Sequence, residues 1–492
     1  MTKKIKYLFI VSLILLSASS CDKYLTLEPQ DGIVRQDFWK TKEQLKSAVN
    51  GCYASLLADP LVEDLFLWGE LRGDLLEAGT GARVDDLNII NVNITSTNKI
   101  ADWSVIYKTI NNCNTVLDFG PDVLKSDNTL TQSALNAYLG EALALRSLMY
   151  FYLARSFGDV PLKLKSTSSD DDNVQIGKSP QVDVLNQVVK DLNTAEGYVV
   201  ASYGNRDADK GRITKYTVDA ILADVYLWMD RYSDCIEICD RIITSHQFGL
   251  VAGDTNWFST LYYQGNSNES IFEIQFNQNK LNPFYNMLAT TNKRFKAALR
   301  VTEEVYTVDN IVIDNKDIRG DGAALKFSDG TIWKYQGINA SSSRGSSASF
   351  AHWIVYRYAD ILLMKAEALN QNNDGQAALD IIKTIRTRSN ALPATERILA
   401  ETDKEGITDY ILDERARELA FEGKRWYDLL RNAKRNDYAR LDLLLNIVST
   451  TADPASQQSA ITKYRDSRSH YLPIYLYELQ TNKNLVQNSF YQ

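Results

Sequence analysis

The chain of 492 residues carries 54 Lys and Arg against 62 Asp and Glu, a net charge of −8. With 45% hydrophobic and 24% charged residues, it is neither a disordered chain nor a polytopic membrane protein, and it is long enough to bury most of its apolar surface. Three His exclude a histidine-rich metal or acid–base site, whereas 27 Tyr, 16 Phe and 8 Trp stand out.

Lys3, Lys4 and Lys6 precede an apolar run at 7–16, the small residues Ser17-Ala18-Ser19-Ser20, and then Cys21. A basic stretch, a short apolar core and a small-residue exit make residues 1–20 a secretory signal. The polar sequence after Cys21 points to a lipoprotein signal cut before that residue, with acyl chains anchored on Cys21. Ala18 stands where Leu is commonest in such signals, and the alternative is an ordinary signal followed by Cys. Removing residues 1–20 takes three of the 54 basic residues and no acid, deepening the net charge to about −11. Nucleic acid and anionic membrane surfaces are poor partners for such a chain. Of the remaining cysteines, Cys235 and Cys239 are spaced i,i+4 on a helix; with Cys52 and Cys113 they read as buried thiols, and no zinc spacing exists.

Periodicity then predicts helices along most of the chain. One covers 104–119 and ends before Pro121; a second covers 133–158 and is stopped by Gly158-Asp159 and Pro161. Ser179 and Pro180 cap a third at 179–199. Residues 214–249 form a helix pair broken near 229–232, whose alternation of small and large side chains resembles a tetratricopeptide hairpin. A second pair follows at 359–389, and a single helix at 407–432 carries Asp413, Arg417, Glu418, Glu422 and Arg425 as an i,i+4 ion-pair ladder. Trp103, Trp228 and Trp426 lie in helix patterns and read as packing residues. Residues 88–95, 270–276 and 331–337 read as short strands, 338–350 as a mobile low-complexity loop, and Asp170-Asp171-Asp172 as a solvated loop. The organisation is one domain at 21–492, mostly α with a few short strands. Its helical framework covers about 33–58, 103–249 and 354–432, and its irregular insertion about 250–353.

Several stretches resemble one family. Cys21-Asp22-Lys23-Tyr24-Leu25 with Glu28-Pro29 is similar to the mature start of SusD/RagB-type outer-membrane lipoproteins. So are Ala142 to Phe151 with Phe157-Gly158-Asp159-Val160-Pro161-Leu162, and Tyr356-Arg357-Tyr358-Ala359-Asp360 followed by Ala366-Glu367-Ala368-Leu369-Asn370. Glu414-Arg415 and the run from Glu418 to Leu429, with Asn484-Leu485-Val486-Gln487-Asn488 and Tyr491 at the end, extend the resemblance over the mature chain. Tyr475, Lys483 and Ser489-Phe490 depart from the pattern in terminal turns only. The resemblance implies a SusD-like fold with tetratricopeptide-like units. It also implies a non-catalytic lipoprotein that holds an oligosaccharide or polysaccharide and docks on a SusC-like TonB-dependent transporter. Such a protein touches the membrane through its lipid only, uses no cofactor, and faces the cell exterior. Asp22 after the lipid Cys favours inner-membrane retention in some bacteria; the resemblance favours the outer membrane.

A sugar needs an aromatic platform for its apolar face and amide, carboxylate or guanidinium partners for its hydroxyls. The insertion offers Trp257, Tyr262, Tyr263, Asn266, Asn268, Tyr285, Trp333, Tyr335, Asn339 and Arg344, with Trp333 and Tyr335 expected on one face of a strand. The alternation Trp68, Glu70, Arg72, Asp74, with Glu77 beyond, is a second candidate, equally readable as an ion-paired turn. The strongest candidates for ligand contact are thus Trp257, Tyr262, Tyr263, Trp333, Tyr335, Trp68, Arg72 and Asp74. Acid pairs such as Asp74/Glu77 and Glu303/Glu304 belong to no catalytic motif, and nucleotide, zinc-hydrolase and serine-hydrolase signatures are missing from the sequence. The alternative function is a lid or scaffold subunit for a peptide or other non-sugar nutrient, with little glycan affinity.

Overall fold

The computed structural model describes residues 38–167, 175–312 and 315–492. The signal segment, Cys21 and its neighbours, and Asp170-Asp171-Asp172 lie outside the described residues.

Helices pair because each carries an apolar stripe that a neighbour covers. Thr41 caps α1 (Lys42–Leu56) by accepting from the Gln44 N–H, and α1 buries Leu45, Val49, Cys52 and Leu56. It is followed by α2 (Asp59–Glu70), α3 (Ser104–Ser126), α4 (Gln132–Phe157) and α5 (Gln181–Glu196). α1 packs on α3, α3 on α4, and α4 on α5. Next come α6 (Lys215–Trp228) with α7 (Tyr232–Thr244), and α8 (Tyr358–Gln371) with α9 (Gly375–Arg388), the two hairpins meeting through α7 and α8. α10 (Lys404–Glu418), α11 (Arg425–Tyr438), α12 (Asp442–Thr451) and α13 (Gln457–Tyr464) complete the longer helices. Four short strands make two antiparallel pairs: β1 (Leu76–Ala78) with β3 (Phe295–Ala297), and β2 (Ser270–Ile274) with β4 (Trp353–Arg357).

The helix pairs at 215–244 and 358–388 fall where the periodicity puts them, and Gly158, at φ 76°, ends α4. Other expectations fail for identifiable reasons. α3 runs through Pro121, because Val116, Gly120 and Val123 continue its buried stripe and the packing outweighs one missing N–H. Ser179 does not cap α5; its backbone pairs with Val160, and Pro180 stands at the cap. Residues 88–95 form the end of a short helix (Val84–Ile90) and turns, not a strand. Residues 331–337 form turns between two isolated bridges, Leu325 to Ile332 and Gly337 to Ser343, so Trp333 and Tyr335 do not share a strand face. The 338–350 loop is tied down in part, with the Arg344 N–H donating to the Gln336 carbonyl at 2.7 Å.

The helix expected at 407–432 divides at 419–424, where Phe421 and Gly423 adopt φ of 62° and 77°. The buried Glu70 carboxylate organises this turn: it accepts the N–H groups of Phe421 (3.3 Å), Gly423 (3.1 Å) and Lys424 (3.2 Å). A Cβ on Gly69 would stand 1.8 Å from the Gly423 carbonyl oxygen, so α2 and the turn are in direct backbone contact.

The expected ladder is a web between elements. Arg357, fully buried at the end of β4, pairs with Glu269 (2.7 Å), Glu418 (2.6 Å) and Glu422 (3.0 Å). Glu418 also takes Arg388 and Arg319, Glu422 takes Lys334, Arg425 takes Asp74, and Asp413 takes Arg397. Only Arg417 pairs within its own helix, with Glu414. The family-like motif residues at 357 and 414–428 therefore build the interior.

Candidate functional site

The candidates drawn from composition are mostly interior. Trp68 donates from Nε1 to the Ile100 carbonyl (2.6 Å) and meets Phe157 edge to face. Arg72 donates to the His470 carbonyl (2.6 Å) and lies over the Trp426 ring, while Asp74 is held by Arg425 and Arg300. Trp257 packs edge-on to Tyr262, whose hydroxyl donates to Glu422 (3.2 Å). Trp333 donates to the Asn339 carbonyl (2.8 Å) with Lys326 over its ring; Tyr335 stacks on Phe284 at 3.9 Å and donates to the Phe421 carbonyl (2.6 Å). All seven are buried and none of the five rings faces solvent, while Asp74 lines a 430 Å³ cavity with both its oxygens engaged by Arg300 and Arg425. The reason is the same throughout: without helical or strand periodicity, sequence does not tell an inward ring from an outward one. Tyr263, 38% exposed, alone remains at the surface. Trp103, Trp228 and Trp426 are buried in helix packing.

Elsewhere, α2, the short helix Val84–Ile90 and the start of α3 enclose an open cleft of 560 Å³. The first turns of α2 supply Asp59, Glu63 and Asp64; the opposite wall supplies Arg83, Asp85, Asp86, Lys99 and Asp102. Arg294 enters because it immediately precedes β3, and the Gly79 N–H beyond β1 holds its carbonyl at 2.7 Å. Its guanidinium clamps two walls together, donating to Asp86 (2.6 and 3.1 Å) and Glu63 (2.6 Å). Asp59 is taken by Lys280 (2.6 Å), and Asp102 accepts the Ser104 N–H (2.9 Å).

Asp64 is different. Its side chain has no hydrogen-bond or ion-pair partner among the described residues, and it lines the cleft. Burial, then the neighbouring charges of Glu63 and Asp102, push its pKa well above the usual carboxylate range against the pull of Arg294. Arg83 and Lys99 are exposed at the rim, and neither side chain is ion-paired. The cleft thus offers one unpartnered acid and two free cations around a neutralised floor, a set suited to hydroxyl and charged substituents. Among the described residues, no aromatic ring lines it. Little in the amino-acid pattern marks this site: Asp59 and Glu63 are i,i+4 on a helix, as on any solvated face, and their partners lie far along the chain. Among the described residues, no cluster of His, Cys, Asp and Glu is arranged to hold a metal ion, and no helix is long and apolar enough to cross a membrane.

Helical hairpins with an irregular insertion beside an open charged cleft define a helical-repeat binding protein. The model of the SusD family matches residues 187–491, more than half of the chain, and the chain belongs to that family. A second family model, described as starch-binding associating with outer membrane, matches residues 70–227. A SusD-like protein of Formosa agariphila is 28% identical over 487 residues, covering 88% of this chain and 92% of that protein. The fold is shared with a SusD superfamily protein of Bacteroides vulgatus (TM-score 0.76, 21% identity, 92% of this chain and 100% of that one). It is shared also with NanU of B. fragilis (TM-score 0.71, 23% identity, 95% and 100%).

Proposed function

We propose that this chain is a glycan-binding lipoprotein of the outer membrane, anchored through Cys21 and facing the cell exterior. It captures an oligosaccharide and passes it to a SusC-like TonB-dependent transporter without transforming it. The observation that carries this reading is the unpartnered Asp64 carboxyl in the 560 Å³ cleft, beside the unpaired Arg83 and Lys99. A half-buried acid without a protein partner can be completed by a ligand's donor, and sugar hydroxyls are such donors. Membership of the SusD family and the second family model's description support the same reading. Binding is favoured over hydrolysis because Glu63 and Asp86 are both engaged by Arg294 and are not free to exchange protons.

The lack of a ring in the cleft lining favours a second reading, a lid or scaffold subunit for a peptide or other non-sugar nutrient. Calorimetry of the full chain against a panel of oligosaccharides and peptides separates the two. An oligosaccharide is expected to bind, and Asp64→Asn to weaken it by up to about tenfold, the worth of one hydrogen bond. Binding of a peptide while every oligosaccharide fails would establish the second reading.

A further inference from the structure

Thirteen arginines are buried among the described residues, and eleven of them contact at least one carboxylate. The exceptions are Arg72 and Arg344. Arg72 is closed into the interior over Trp426, where its Nη1 is taken by the His470 carbonyl. Arg344 is another matter, because it sits beneath a surface loop whose neighbours, 341–343 and 345–347, are all exposed serines and glycine. In that stretch it alone turns inward, leaving only 5% of the residue accessible.

Its guanidinium lies between two rings, 4.6 Å from the centroid of Tyr263 and 4.7 Å from that of Phe350. Nη2 donates to the Tyr263 carbonyl at 2.5 Å, while Nε and Nη1 are buried and have no acceptor among the described residues. An arginine with two idle donors and no carboxylate against it is expensive to bury; Arg155 and Arg415 also hold donors without a hydrogen bond, but each lies against an acid. Tyr263 meanwhile keeps more than a third of its surface in solvent. A ring backed by a cation, under a Ser/Gly cover with few side chains to displace, matches what an acidic sugar needs: a face for its ring and donors for its charge.

We propose that Arg344 and Tyr263 form a subsite for the carboxylate of an acidic sugar, a hexuronate, reached when the exposed serines 341–343 beside Arg344 move aside. The carboxylate takes Nε and Nη1 of Arg344, and the sugar ring lies against Tyr263. This subsite is separate from the Asp64 cleft, and its assignment rests on the glycan-binding reading.

The test is calorimetry of the full chain with short hexuronate oligosaccharides (galacturonate, glucuronate, mannuronate and guluronate), each paired with its uncharged methyl ester, plus neutral and sulfated oligosaccharides. At least one hexuronate is expected to bind about tenfold or more tightly than its ester, the worth of a charge-assisted bond. Arg344→Gln should erase that difference and Tyr263→Ala weaken both forms, with neutral-sugar binding and the far-ultraviolet dichroism unchanged. If Arg344→Gln leaves the preference within about twofold, or no hexuronate surpasses its ester while neutral sugars bind, the subsite is wrong and the glycan reading stands. Arg344-dependent preference for sulfated sugars alone would overturn the carboxylate assignment. Failure of every oligosaccharide, charged or neutral, would remove the glycan reading and this subsite with it.

Discussion

Asp219, in the middle of α6, is 1% exposed and neither carboxylate oxygen has a hydrogen-bond partner. Burial, reinforced by Glu196, lifts its pKa to about 7, with Arg241 and Lys215 pulling the other way. Because the folded value lies above the unfolded one, the folded state holds the proton more tightly. Its contribution to stability is complete below the unfolded pKa of 3.8 and is lost as pH rises through about 7. The full swing is at most about 4 kcal/mol. Urea midpoints taken from pH about 4 to about 8 should therefore fall for the native chain, and Asp219→Asn should flatten part of that fall. An equal slope in both proteins would show that Asp219 stays ionised throughout. At this scale the sequence was hard to read. Asp219 sits among Val218, Ala220 and Ile221 on a helix buried all round, where periodicity cannot single out an orphaned acid. Tyr335 and Trp333 were misplaced for the opposite reason, since irregular backbone has no period at all. Tyr263 and the Asp64 cleft differ from ordinary surface only in what stands beside them in space.

At the scale of elements, termini were more legible than joints. Thr214 caps α6 and Gly158 closes α4 because those roles are decided by local chemistry. The break between α10 and α11 was missed because its cause is remote. Residues 407–432 are helical in pattern, and the interruption is imposed by the Glu70 carboxylate and by the close approach of Gly69. Gly69→Ala should accordingly destabilise the chain by about 2 kcal/mol or more, since the new methyl would collide with main-chain atoms that have little room to retreat. Denaturant unfolding measures this, and a change below about 0.5 kcal/mol would mean that the turn yields freely.

The molecule as a whole is held by apolar packing with a charged web running through it. Arg357 joins β4 to the α10–α11 joint and to Glu269 beside β2. Arg357→Met would leave Glu269, Glu418 and Glu422 with fewer cations than before, at a cost of about 3–5 kcal/mol. By contrast, losing the surface pair Arg241–Glu237 should cost about 0.5 kcal/mol or less. Because the Arg357 cluster is sealed from solvent, the first loss should persist at high salt and the second should shrink. Midpoints at two ionic strengths check both. The family-like motifs thus carried the fold, being the residues of this interior, and the proposed cleft and subsite draw on residues outside them.

The hydrogen bond from the Gly423 N–H to Glu70 spans 353 positions of chain. A ribosome delivers Glu70 long before residues 421–424, so although α2 can pack early on α3 and α4, its Glu70 carboxylate lacks these N–H donors until then. Formation of this clasp has to wait for the far end of the polypeptide and pays a large loop-closure entropy when it comes. The clasp is consequently a late event in folding. Chains truncated before residue 421 should fail to complete the α2 environment, and an incomplete chain should remain open to handling by chaperones and proteases.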